Sequence, residues 1–142
     1  MAKRALLALF VAAAAAPLAG SAAADTVVVC ARHSPIAALS RNEAEQLYLG
    51  RTRELSGGIA VTLVDLPAGP VRDDFYQTLT GKNPSQIRAY WSRLVFTGRA
   101  LPPREAASAA EALSWVDANP DFIAYVPAED AGAAVRVLLH LP

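Results

Sequence analysis

Apolar residues in this chain occur either as short unbroken runs or as stripes spaced three to four apart, and the two patterns alternate. Thr26 to Ala31 is a β-branched run without a polar break, the mark of a strand buried on both faces. Ser34-Pro35 ends it. Ser40-Arg41-Asn42-Glu43 follows as a capping box, in which the serine hydroxyl accepts from the Glu43 N–H and the glutamate accepts from the Ser40 N–H. Leu39 and Ala44 bracket that cap as a weak hydrophobic staple. The box predicts a helix over about residues 41–49, carrying Leu47 and Tyr48, with Gly50 at the left-handed position beyond its end. Gly57-Gly58 opens a second buried strand, Ile59 to Val64, and Leu66-Pro67-Ala68-Gly69-Pro70 is a tight loop.

Val71, Phe75 and Leu79 then recur every four residues, with Asp73 and Asp74 in the first turn and Gly81 closing the last, which predicts a helix. Asn83 caps the next helix, with Pro84 in its first position and Ile87, Tyr90, Trp91, Leu94 and Val95 on its apolar face; it ends before Gly98. Arg99 to Arg104 reads as a loop. Ser108 to Glu111 is a second capping box, opening a helix with Ala112, Leu113 and Val116 that Asn119-Pro120 stops. Phe122 to Val126 and Val135 to Leu139 are the third and fourth strands, joined through Pro127 and a turn of helix at Ala128 to Ala131. The order β-α-β-α-α-α-β-β predicts an α/β domain with a mostly parallel sheet covered on both faces.

Composition changes this picture at the start of the chain. Lys3 and Arg4, the Leu/Ala-rich run Ala5 to Ala16, Pro17 and the small residues Ala22-Ala23-Ala24 have the layout of a secretory signal peptide cleaved after Ala24. The expectation is a signal peptide at 1–24, one domain at 25–142, and export to the periplasm. The chain has 13 basic and 13 acidic residues. Without Lys3 and Arg4 the balance is two charges negative, which excludes the basic excess that nucleic-acid binding requires. No long apolar run follows residue 24, so no membrane-embedded segment is expected there. The single cysteine, Cys30, excludes an internal disulfide. In an oxidising compartment it is either buried or paired with another chain. Its place in an apolar strand favours burial.

Candidate chemistry is sparse. His33 stands just past the first strand and reads as an exposed loop residue, and His140 falls near the end of the sequence. No G-x-S-x-G, H-E-x-x-H, phosphate-loop or G-x-G-x-x-G pattern occurs, so no catalytic residue, metal or cofactor is expected. Asp73-Asp74 and Glu129-Asp130 read as helix-start carboxylates. Residues 25–142 hold ten arginines and one lysine, Lys82. Arginine's planar fork suits oxyanions, but a compositional bias is the better account of the excess. Tyr90 and Trp91 have core spacing, and with Phe96 they form the one aromatic set able to stack on a ligand. The segment Asp65 to Arg72 is the best-placed anion site, because a strand ends there, a Gly/Pro loop turns and a helix begins with free N–H groups.

Read in order, these segments resemble one lobe of the phosphate-type substrate-binding proteins of ABC transporters. The resemblance is carried by Leu39-Ser40 with Leu47-Tyr48-Leu49-Gly50-Arg51, similar to the family's "LS…IFLGK". It is also carried by Phe75, by Tyr90-Trp91-Ser92-Arg93 with Phe96-Thr97-Gly98-Arg99, and by Ile123-Ala124-Tyr125-Val126, similar to "IGYV". It implies one of the two lobes of a type 2 periplasmic binding protein, with no enzymatic activity. In the family the loop before the Phe75-type helix reads R-x-D-x-S-G-T-T, and its arginine and hydroxyls hold phosphate. Aligned on Phe75, those places are Asp65, Gly69 and Val71, so a carboxylate replaces the arginine and the hydroxyls are gone. The resemblance therefore implies weak or altered binding of a small phosphate-like anion, with Gly69, Val71, Arg72 and Ser34 as ligand-binding residues. It also implies partners such as an ABC transporter or an envelope sensor protein. The competing reading is an interaction module that uses the same cleft surface for a partner protein or a second copy.

Overall fold

The computed structural model describes residues 25–142; the signal-peptide expectation for 1–24 lies outside them. The core of the domain is a five-stranded sheet in the order β5-β4-β6-β1-β7, built from β1 (Thr26–Ala31), β4 (Thr62–Asp65), β5 (Arg104–Glu105), β6 (Phe122–Pro127) and β7 (Val135–Leu141). A separate two-stranded hairpin pairs β2 (Glu54–Leu55) with β3 (Ile59–Ala60). The helices are α1 (Arg41–Tyr48), α2 (Pro70–Thr80), α3 (Pro84–Phe96) and α4 (Ala109–Ala118).

Strands β4, β5 and β6 pair in parallel, with Thr62 opposite Phe122 and Val64 opposite Arg104. Strand β1 is antiparallel to both neighbours, so β7 runs the same way as β6. Four of the five strands thus share one direction, as expected of a mostly parallel sheet. The strand placed against that direction is β1, an interior strand between β6 and β7, every residue of which is buried. The link from β6 to β7, residues 128–134, carries only a 3-10 turn at Ala128–Asp130 yet passes from one side of β1 to the other.

Helix starts follow the local chemistry. Ser40 and Glu43 form the expected capping box, at 3.1 and 3.3 Å. Asn83 and Gln86 form a second complete box at α3, both bonds 2.9 Å, where the sequence reading had only the asparagine cap. At α4 the box is half made: Ser108 accepts from the Glu111 N–H, but the Glu111 carboxylate accepts from Ala107 instead of Ser108. The run expected as one strand, Ile59 to Val64, is divided at Val61; its first part pairs with Glu54–Leu55 and its second joins the main sheet. Arg104, expected as the end of a loop, instead opens the edge strand β5 with Glu105. Val95, placed on the apolar face of α3, is 46% exposed.

The core is continuous, and its largest buried side chains include Tyr48, Tyr76, Tyr125 and Phe75. Cys30 is buried and free, as the strand reading required. Gly50 is needed for two reasons. Its φ is +67°, and a Cβ there would meet Trp91 Cη2 at 2.8 Å. Gly50→Ala should therefore cost about 2 kcal/mol, from left-handed strain plus overpacking of the indole. Urea unfolding of the variant measures this, and a loss under about 0.5 kcal/mol would show that Trp91 can move aside.

Candidate functional site

The C-terminal ends of β4, β5 and β6 lie together, and α2 and α4 begin beside them. In open α/β sheets this edge is where ligands bind. The loop Leu66–Gly69 leads from β4 into α2. Gly69 caps the helix with φ 156° and supplies no side-chain hydrogen bond, and Pro70 follows as the first helical residue. A groove of about 240 Å³ runs here between Leu66, Pro67, Val71, Ala109, Pro127 and Asp130.

The polar centre of this edge is Asp65, the last residue of β4, which is only 3% exposed. Its Oδ2 accepts from the Tyr76 hydroxyl at 2.9 Å, and its Oδ1 accepts from the Leu66 N–H at 2.9 Å and from the Tyr125 hydroxyl. The Arg72 guanidinium stands 3.6 Å from Oδ2, donates to the Leu66 carbonyl at 3.3 Å and covers the Tyr76 ring. Three hydrogen-bond donors and one guanidinium, from α2, β6 and the loop, therefore converge on one carboxylate. Around them Phe75 stacks on Tyr125 with ring centres 3.6 Å apart, and Tyr48 meets Phe75 edge-on at 4.9 Å. The Tyr48 hydroxyl donates to the carbonyls of Val64, at 3.0 Å, and Ile123, at 3.4 Å, tying β4 to β6.

Burial pushes the Asp65 carboxyl above its ordinary value, while the Tyr125 hydroxyl, Arg72, Tyr76 and the Leu66 N–H pull it partly back. The Tyr125 and Tyr76 hydroxyls are raised by burial first and then by the neighbouring Asp65 charge, so both stay protonated and act as donors. Chemically the arrangement is an oxyanion cradle whose oxyanion belongs to the protein itself.

The expected site residues are divided by the fold. Gly69, Val71 and Arg72 share the β4–α2 edge, but Arg72 is already paired with Asp65. Ser34 follows β1, which runs opposite to β4, so it lies at the other end of the sheet. Its hydroxyl donates to the Pro120 carbonyl at 2.5 Å and accepts from the Ile36 N–H at 3.2 Å, which makes it part of a turn. The antiparallel direction of β1 separates it from the loop. Of the two residues that complete the cradle, Tyr76 was not singled out in the sequence, and Tyr125 was noted only within "IGYV". The available signal was Asp65 itself, a carboxylate ending a buried strand, which requires partners.

Beyond Arg72 a second cleft opens along α3. One part, of about 130 Å³, lies between Arg72, Tyr76, Pro84 and Arg88; another, of about 320 Å³, lies between Arg88, Trp91, Pro102 and Glu105. Tyr90 and Trp91 are packing residues, with the Tyr90 hydroxyl donating to the Leu49 carbonyl at 2.5 Å. Phe96 points outward, 92% exposed. No group of three or more metal-ligating side chains occurs among the described residues.

Together these features define an α/β domain with a mostly parallel sheet, and its fold is similar to part of two solved structures. The chain is similar to an ABC-type phosphate transport receptor from Vibrio cholerae, at a TM-score of 0.61 and 15% identity, over 81% of this chain and 46% of the receptor. It is also similar to a protein from Clostridium perfringens assigned as a phosphate ABC transporter substrate-binding protein with bound phosphate. That likeness has a TM-score of 0.62 and 14% identity over 81% of this chain and 45% of the other. The chain therefore spans less than half the length of each. No protein-family description and no curated protein matches the sequence.

Proposed function

We propose that this protein is a secreted, periplasmic, substrate-binding-protein-like single lobe without catalytic activity, and that its affinity for phosphate-like anions at the Leu66–Arg72 loop is weak. The observation that carries this reading is the Asp65 carboxylate among the donors that would otherwise face a ligand. An incoming dianion meets a buried negative charge, and the Arg72 guanidinium is already engaged. A single lobe also leaves a ligand wet on one side, whereas two-lobed receptors enclose it by hinge closure. The non-catalytic reading rests on the sequence, in which no nucleophile signature accompanies either histidine.

Isothermal titration of residues 25–142 with phosphate, sulfate and acetate tests the reading. The expected dissociation constants are about 1 mM or weaker, equivalent to about 4 kcal/mol or less. Asp65→Asn, which keeps the planar shape of the carboxylate but frees Arg72 from its counter-charge, should bind these anions more tightly than the wild type. Micromolar phosphate binding by the wild-type chain would overturn the proposal.

A further inference from the structure

We propose that copies of this chain associate head to tail, with the apolar tip at Phe96 and Leu101 of one copy seated in the groove beneath the Leu66–Val71 loop of the next. The tip is unusual for a domain surface. Phe96 is 92% exposed, Leu101 77% and Val95 46%, and these are three of the four large apolar residues exposed among the described residues. They lie within seven residues of one another, at the end of α3 and in the loop after it. Clustered apolar exposure of this kind marks a contact surface.

Charge identifies what covers it. From Lys82 to Arg104 the chain carries five cations, and all 13 of its acidic residues lie outside that stretch. Arg93 and Arg99 flank Phe96 and are exposed. The groove at the β4–α2 edge has the opposite character. Its walls are the apolar Leu66, Pro67, Val71, Ala109 and Pro127, Asp130 stands at its side, and Glu129 and Asp74 nearby are exposed. Its volume of about 240 Å³ leaves room for a phenyl side chain. The chain thus bears a basic-rimmed apolar knob and an acidic-flanked apolar socket. A second copy supplies both complements at once, whereas an anionic lipid surface would complement only the knob.

Leu101 of the knob borders a cleft with Val61 and Thr62 at the start of β4, whereas the socket lies beyond the end of β4, so the two face opposite ends of the sheet and cannot both be filled by one partner. The contact is therefore heterologous: each copy keeps one free socket and one free knob, and assembly continues into a chain or closes as a ring. The association does not depend on anion binding, although it covers the same loop. It should weaken with salt, because the flanking charges are solvent-exposed.

Sedimentation velocity on residues 25–142 tests it, using Phe96→Ser, which removes the knob, and Ala109→Trp, which fills the socket; circular dichroism establishes that both fold. The wild type is expected to grow beyond a dimer as concentration rises. Each variant alone should remain monomeric, and their equimolar mixture should stop at a 1:1 dimer, because only one intact knob and one intact socket remain. A wild type that is monomeric up to its solubility limit, assembly that survives either substitution, or a mixture that grows past the dimer would each overturn the proposal.

Discussion

Asp65→Ala is expected to lower the unfolding free energy by about 3–5 kcal/mol, the range for removing one partner of a buried, hydrogen-bonded charge pair. The loss has two parts. The Tyr76 and Tyr125 hydroxyls and the Leu66 N–H lose a common acceptor in a buried place, and Arg72 loses its counter-charge. Arg72 is a quarter exposed, so water offsets some of its share. Formate or acetate should restore part of the stability by occupying the vacated cradle, and urea unfolding with and without formate measures both effects. A loss below about 1 kcal/mol with no formate response would show that the cradle does not organise this edge of the sheet.

The same carboxylate sets a pH dependence. Asp65 titrates higher in the fold than the ordinary 3.8, because burial outweighs its hydrogen bonds. The folded chain therefore holds that proton more tightly than the unfolded chain does. Stability from this group is fully present below the ordinary value and is lost as pH rises through the higher folded value. Asp65→Asn has no proton to lose there. Its stability relative to the wild type should rise as pH is taken upward through that window, and a flat difference would contradict the assignment.

Phe75→Ala is the second large effect, at about 3–5 kcal/mol. Phe75 is fully buried, stacked on Tyr125 and edge-on to Tyr48 and Tyr76 at 4.9 and 5.2 Å. Truncation opens a cavity between α2 and the sheet, and the ring pairs lose their specific geometry as well as buried area. Since domains of this size are stable by only about 5–15 kcal/mol, the variant should melt well below the wild type in calorimetry. A loss below about 2 kcal/mol would mean that the three tyrosines collapse into the space.

Much of this architecture is legible in the chain because its signals are local. The Ser40 box, the Asn83-Pro84 start and the Gly50 and Gly81 stops each depend on residues within one turn. The apolar runs at Thr26–Ala31 and Phe122–Val126 announce burial on both faces, but burial on both faces does not encode direction. Hence β1 lies antiparallel, and Ser34 sits far from the loop it was grouped with. The Ile59–Val64 run hides its division at Val61, because a hairpin strand and a core strand use the same residue types. Arg104–Glu105 joins the sheet through backbone groups alone, with no apolar signal. The cradle needs Asp65, Tyr76 and Tyr125 to meet, and the last of these is sixty residues from the first. Arg72 and the altered loop at Asp65, Gly69 and Val71 are readable in the sequence; what satisfies them is a property of the fold.

The interior position of β1, between β6 and β7, bears on the order of events as the polypeptide leaves the ribosome. Its sheet neighbours, β6 and β7, are the last two strands of the described chain. An apolar strand made early must therefore wait, without its edges bonded, until residues 122–141 exist. Such distant pairing slows folding, and during that interval both edges of the apolar segment lack their sheet partners.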